Sequence, residues 1–283
     1  MSDFRRPTSI GEAVDLLSQG PIVIAAGCTD LFPATSASVL AGPVMDITGI
    51  AELGRVTQGP KGVRIGAAAT WTKLVQTPLP PAFDMLKQAA QEVGSVQIQN
   101  AGTVVGNICN ASPAADGVPA LLAVETRVEL TSTRGVRQVP LDQFITGVRQ
   151  TARRPDELVT AVWIPAAATG GTSRFLKLGA RAHLVISIVM VAVRLRIDAG
   201  HIAQAALAVG SCSAVATRLP ELEQALHGLP VRDVAATVTE ARVAPMLSPI
   251  DDIRADADYR ISAATELLGR AVDHLVRPQR RAA

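Results

Sequence analysis

Apolar residues recur with two different periods along this chain. Ile10, Ala13, Val14 and Leu17 fall on one helical face, Ser9 and Glu12 have capping-box spacing, and Gly20 closes the segment. Pro21-Ile22-Val23-Ile24-Ala25-Ala26 predicts a buried strand running into a tight strand-to-helix turn at Gly27-Cys28-Thr29-Asp30. Short strands are predicted at Val44–Ile47 and at Val63–Ile65, where Arg64 alternates outward. A helix over Ala82–Val93 ends at Gly94, Val118–Val124 reads as a short helix, and Thr126–Leu130 reads as a strand. Pro155-Asp156-Glu157 opens another strand that ends at Ile164-Pro165. Later strands are predicted at Phe175–Leu178, Leu184–Leu195 and Ile202–Val209, and helices at Pro220–Leu226, Val231–Ala241 and Tyr259–Val276. The last carries Leu267, Leu268, Ala271 and Leu275 on one face.

The stretch from Gly94 to Asp116, GSVQIQNAGTVVGNICNASPAAD, follows neither period. It is polar, uncharged until its final Asp and studded with Gly, which predicts a long functional loop or extended layer. Ala166–Gly171, built of Ala, Thr and Gly, is the best domain junction. The carboxy-terminal part then reads as α+β, with a sheet covered by helices on one side. Neither repeats nor low-complexity tracts interrupt the chain.

Composition narrows the function. Among 283 residues, 27 Lys+Arg against 25 Asp+Glu leave a net charge of +2, and aromatics are 3% of the chain. Nucleic acid is therefore disfavoured, since neither a basic field nor stacking platforms are available. The 48% hydrophobic content fills a core and excludes disorder. Cys28, Cys109 and Cys212 are far apart with no CxxC, so neither a zinc ribbon nor an iron–sulfur motif is expected. The amino terminus lacks an apolar signal region, and the longest apolar run, Leu184–Val193, is too short for a membrane span and carries Ser187. A soluble, cytoplasmic protein in a reducing compartment is expected. His183, His201, His227 and His274 lack metal-ligand spacing, and neither a phosphate-loop Gly-Lys pair nor a GxSxG elbow occurs. The expectation is that this chain has no catalytic residue and no metal site.

Two segments carry chemistry. Ala26-Gly27-Cys28-Thr29-Asp30-Leu31 offers backbone N–H groups and a hydroxyl to a phosphate, with Gly27 permitting close approach and Asp30 capping the next helix. Thr103-Val104-Val105-Gly106-Asn107-Ile108-Cys109-Asn110-Ala111-Ser112-Pro113-Ala114-Ala115-Asp116 strings hydrogen-bonding side chains along a Gly/Pro-shaped backbone. It suits a polyhydroxylated, phosphorylated ligand.

Together these segments resemble the two FAD-binding loops of the flavoprotein subunits of xanthine dehydrogenase and carbon monoxide dehydrogenase. The likeness spans nearly the whole chain: Pro155-Asp156-Glu157-Leu158-Val159 through Ile164-Pro165, Phe175-Leu176-Lys177-Leu178 with Arg181, Ile186-Ser187, Arg254-Ala255 and Asp258-Tyr259-Arg260 match later landmarks. The resemblance implies an α+β fold with a two-part FAD-binding region of the PCMH/VAO type over residues 1–165 (subdomains 1–55 and 56–165). A CO dehydrogenase flavoprotein-like carboxy-terminal domain over 172–276 and a tail at 277–283 would follow.

It further implies an FAD-binding medium subunit of a molybdenum hydroxylase, an oxidoreductase subunit working in a heterotrimer or a dimer of heterotrimers. A molybdopterin-binding large subunit would oxidise the substrate. A small subunit with [2Fe–2S] clusters would pass the electrons to noncovalent FAD and on to an acceptor. By position, Ala26, Gly27, Cys28, Thr29, Asp30 and Leu31 would surround the pyrophosphate. Thr103, Gly106, Asn107, Cys109, Asn110, Ser112 and Asp116 would hold phosphate, ribityl or ribose groups, and Lys177 and Ile186 would lie near the isoalloxazine.

Three positions depart from the family pattern: Cys28 replaces a frequent Gly, Val105 the first Gly of a Gly-Gly-Asn, and Val185 a frequent Asp. The first two are expected to narrow the pyrophosphate site, the third to remove a charge that tunes the flavin or orders a loop. The alternatives are a free-standing PCMH-type flavoprotein oxidoreductase, which needs a substrate-covering domain and acid–base groups not found here, and a flavin-free scaffold subunit.

Overall fold

A computed structural model describes residues 3–36, 40–182 and 184–277. His183 and all of the expected tail except Arg277 lie outside the described residues. The chain forms two compact units, each assembled from separated stretches. One comprises Met1–Pro78, Ala90–Ser112 and Glu125–Ala168, the other Leu79–Ala89, Pro113–Val124 and Thr169–Ala283. Among the described residues, no helix is long and apolar enough to cross a membrane.

In the first unit, the strands Phe4–Arg5, Val44–Asp46 and Val23–Ala25 form a small parallel sheet with Val44–Asp46 in the middle. The helix Ile10–Ser18 links its two outer strands. The Ser9 hydroxyl accepts from the Glu12 N–H at 3.2 Å, and Ala13, Val14 and Leu17 are buried. A five-stranded antiparallel sheet follows in the order Val56–Gly59, Gly62–Gly66, Leu158–Pro165, Arg127–Ser132 and Gly135–Pro140. Val63 and Ile65 are fully buried, whereas Arg64 donates to Glu129 Oε1 at 2.8 Å, as their alternation predicts.

In the second unit, Thr172–Leu178, Val189–Asp198, His201–Gly210 and Thr217–Arg218 pair in sequence order as an antiparallel sheet. Val189, Val191, Val193 and Leu195 join Leu222, Val234, Val243, Leu268 and Val272 in one apolar core. The helices Pro220–Leu226, Val234–Thr237, Glu240–Val243 and Ala257–Val276 therefore cover one face. The expectation of one-sided cover needs correcting, because Met190, Ala192 and Arg194 on the other face are buried as well.

That face carries the helix Gly117–Ala123, supplied from the middle of the chain. Arg194 Nε donates to Ala123 O at 3.0 Å, and a Cβ placed on Gly210 would meet Met190 and Pro119 side-chain atoms at 2.8–2.9 Å. A strand buried at every residue from Val189 to Leu195 is what two covered faces require. The predicted helix Val231–Ala241 is also two helices, Val234–Thr237 and Glu240–Val243, broken at the β-branched pair Val238-Thr239.

Candidate functional site

The first signature segment leaves the strand Val23–Ala25, bends at Ala26-Gly27 and reverses at Cys28, whose φ of 57° lies in the left-handed region. The predicted helix does not follow. Phe32 N–H donates to Cys28 O at 3.3 Å and Ala34 N–H to Asp30 O at 3.0 Å, but Thr35 N–H already turns back to Phe32 O at 3.2 Å. Thr35 and Ser36 extend a helix poorly, so the segment remains a turn, and exposed Asp30 caps no helix. Cys28 holds a conformation that costs an L-residue roughly 1–2 kcal/mol and that Gly adopts freely. Its Sγ contacts Ala26 O at only 3.6 Å. Cys28→Gly is expected to raise stability by about 0.5–1 kcal/mol without lowering cofactor occupancy. A thermal melt with a flavin titration checks this, and a fall in melting temperature would assign Cys28 a packing role instead.

The second signature segment is not the expected loop but two short helices, Val96–Ala101 and Val104–Asn110. Thr103 opens the latter by accepting from the Gly106 N–H at 2.9 Å, and Ala111 closes it in the left-handed region at φ 47°. Val104, Val105 and Ile108 are buried, a helical face that the surrounding Gly and Asn obscure in the sequence. Buried Val105 therefore does not project into an open groove. A Cβ on Gly106 would lie 2.7 Å from Thr103 Oγ1, so this Gly makes room for its own helix cap.

The structure brings these two segments together. A Cβ on Gly27 would lie 2.0 Å from Ala101 O and 2.7 Å from Gly102 Cα, and one on Gly102 would lie 3.2 Å from Thr29 Oγ1. The junction peptide is held in turn by Trp71 N–H donating to Gly102 O and Val104 N–H donating to Ala69 O, both at 3.1 Å. In the helix Val104–Asn110, Asn107 Oδ1 is buried with no hydrogen-bond partner. An acceptor in that state costs about 1–3 kcal/mol unless a donor reaches it. Arg149 occupies Asn110, donating to its side-chain oxygen and, at 3.2 Å, to its main-chain oxygen. Cys109, on the same helix, is exposed.

Ser112 ends the first unit's share of the signature, and Pro113–Asp116 belong to the second unit. There Asp116 accepts from Lys177 Nζ at 2.8 Å and from Ser187 Oγ at 2.6 Å, all three side chains being nearly closed to solvent. Ser211 N–H donates to Pro113 O at 3.1 Å. Ile186 is 53% exposed, and Val185 packs on Gly179, where a Cβ would meet its Cγ1 at 2.5 Å. In the sequence, Ser187 is a landmark and a polar break in an apolar run. Such a break inside a buried strand entry is itself a signal for a hydrogen-bonded partner. Arg149 had no signal of this kind. Among the described residues, no three His, Cys, Asp or Glu side chains form a metal-binding group.

The uncharged hydroxyl and amide set around Thr29, Thr103 and Asn107, with one buried acceptor awaiting a donor, fits a large polar cofactor such as FAD. A flavoprotein of two α+β units is the class this arrangement defines. The chain belongs to the family described as the FAD binding domain in molybdopterin dehydrogenase, matched over residues 1–167, and residues 174–275 match the CO dehydrogenase flavoprotein C-terminal domain. It is 31% identical to the nicotine 6-hydroxylase medium subunit of Paenarthrobacter nicotinovorans over 95% of both chains. It is 28% identical to the carbon monoxide dehydrogenase medium chain of Hydrogenophaga pseudoflava over 96% of both. Among solved structures, reconstituted CO dehydrogenase from Oligotropha carboxidovorans superposes with a TM-score of 0.89 at 27% identity, covering 98% of both chains.

Proposed function

We propose that this chain is the electron outlet of a molybdenum hydroxylase, holding FAD between [2Fe–2S] clusters on a small partner subunit and a final acceptor. A large molybdopterin-binding partner would oxidise the substrate. Bound FAD supplies the chemistry of accepting electrons singly and passing them on singly or in pairs. The chain's own residues bind and orient it. In this reading Gly27, Cys28 and Thr29 border the pyrophosphate, with Ala26, Asp30 and Leu31 completing the turn. Thr103, Gly106, Asn107, Cys109, Asn110, Ser112 and Asp116 hold phosphate and polyol groups, and Lys177 and Ile186 lie toward the ring. Assembly as a dimer of heterotrimers and a cytoplasmic location belong to the same proposal. So do domain limits at 1–165 and 172–276, with the division of the first at residue 55.

The observation that carries the reading is the buried, partnerless Asn107 Oδ1 of the second signature segment. Asn107→Ala removes that acceptor, and its loss is expected to weaken FAD binding by about 1–3 kcal/mol while the fold persists. Fluorescence titration of the apoprotein measures this, and unchanged affinity would place FAD elsewhere.

Acid precipitation of the wild-type protein should release one yellow flavin per chain into the supernatant, and flavin left in the pellet would mean a covalent link. The relatives named as medium subunits and chains support the conduit role. Alone with FAD, the chain should leave its flavin oxidised in the presence of aldehydes or N-heterocycles, although dithionite reduces it. Turnover by the single chain would instead establish a free-standing oxidoreductase.

A further inference from the structure

The carboxy-terminal helix Ala257–Val276 carries a buried arginine that its packing face does not call for. Arg260 is 3% exposed, and its Nε has no hydrogen-bond partner. A guanidinium buried in this way costs stability relative to an aliphatic side chain of similar volume. Packing therefore does not account for it, but its remaining contacts do.

Nη1 donates to two main-chain oxygens, Ile188 O at 2.6 Å and Ser211 O at 3.0 Å, and Nη2 donates to Asp252 Oδ1 at 2.7 Å. Each of the two backbone positions belongs to, or directly adjoins, a residue that holds the end of the second signature segment. Ser187, before Ile188, gives its hydroxyl to Asp116, and Ser211 gives its N–H to Pro113 O. Ser211 does so from the left-handed region, at φ 64°, a conformation that persists only where its surroundings impose it.

Asp252 is itself fixed. Desolvation pushes its carboxyl up, but hydrogen bonds from the Arg254 N–H and side chain, from Arg260 and from the Ala255 N–H prevail and hold it at about 2. It therefore remains a carboxylate under all ordinary conditions and orients the guanidinium through Nη2.

We infer that Arg260, oriented by Asp252, is a positioning residue for the cofactor: one guanidinium sets the two strand ends that clamp Pro113–Asp116. The inference rests on the FAD reading above. Arg260 itself touches no reacting atom.

The test uses the full chain loaded with FAD and compares Arg260→Gln, Arg260→Lys and Asp252→Asn with Leu268→Ala, which empties a fully buried position in the same core. Three quantities are read for each: melting temperature, FAD dissociation constant and the visible circular dichroism of bound flavin, which reports its surroundings. Arg260→Gln is expected to weaken FAD tenfold or more and to alter the dichroism, with Arg260→Lys and Asp252→Asn between it and the wild type. Leu268→Ala should lower the melting temperature and leave affinity within twofold and the dichroism unchanged.

If the Arg260 variants matched Leu268→Ala in affinity and dichroism at equal loss of melting temperature, the residue would be structural only and the inference overturned. Should Arg260→Gln not fold, Asp252→Asn decides, because it keeps the guanidinium; unchanged affinity and dichroism there would overturn the inference equally. A wild-type chain that bound no FAD would instead overturn the underlying reading.

Discussion

Gly27→Ala is expected to abolish FAD binding and to destabilise the first unit by about 1–3 kcal/mol or more. The added Cβ would sit 2.0 Å from Ala101 O and 2.7 Å from Gly102 Cα, and both are main-chain atoms. No rotamer change relieves such a clash, so the turn at Gly27–Asp30 must move away from the helix pair. That movement separates Thr29 from Gly102 and disturbs the hydrogen bonds from Trp71 and Val104 that fix the junction. Gly54→Ala is the matched control, since nothing lies within 4 Å of a Cβ there. It should stay within about 0.5 kcal/mol of wild type and keep its flavin. Urea unfolding and flavin absorbance on the two variants test the pair. Retained flavin in Gly27→Ala would show that the contact of the two segments is not needed for binding.

The bare Cα of Gly27, expected from the sequence to make room for a ligand, makes room for the chain's own backbone. Gly106 follows the same logic, its bare Cα serving the Thr103 cap. Sequence reasoning identifies where a side chain is forbidden but not what forbids it, because the occupant comes from elsewhere in the chain.

Local signals were otherwise legible. The cap at Ser9 and the apolar face of Ile10–Ser18 are short-range features, as is the alternation around Arg64. Pro220 at the first position of Pro220–Leu226 marks that helix start directly. The hairpin strand Gly135–Pro140 was illegible because most of its residues are exposed or half-buried and so carry no apolar period. The second cover of the carboxy-terminal sheet could not be read either. The helix that provides it, Gly117–Ala123, lies more than 50 residues upstream of its strand partners in Val189–Asp198. Its all-buried sequence announced a core helix without saying which core.

Asp116 shows the same limit within the candidate site, and its consequence is the second large effect. A carboxylate is a poor neighbour for a pyrophosphate and a better one for the cofactor's hydroxyls, and here Asp116 also engages Lys177 and Ser187. The pair is nearly closed to solvent, with side-chain exposures of 7% for Lys177 and 10% for Asp116. Removing one member of such a buried ion pair costs about 3–5 kcal/mol.

Asp116→Asn and Lys177→Met should therefore each lower the urea midpoint severely. The double variant, which removes both charges and leaves Ser187 able to bond the new amide, should recover more than half of either loss. Additive losses in the double variant would mean that the two side chains act independently. The same proteins separate two accounts of Asp116 in binding. If its task is to hold the Lys177 ammonium in place for an anionic cofactor, Asp116→Asn and Lys177→Met should weaken FAD to the same extent and the double variant no further. If Asp116 instead bonds the cofactor itself, the double variant should bind more weakly than Lys177→Met, and the role of Asp116 would pass from positioning to direct contact.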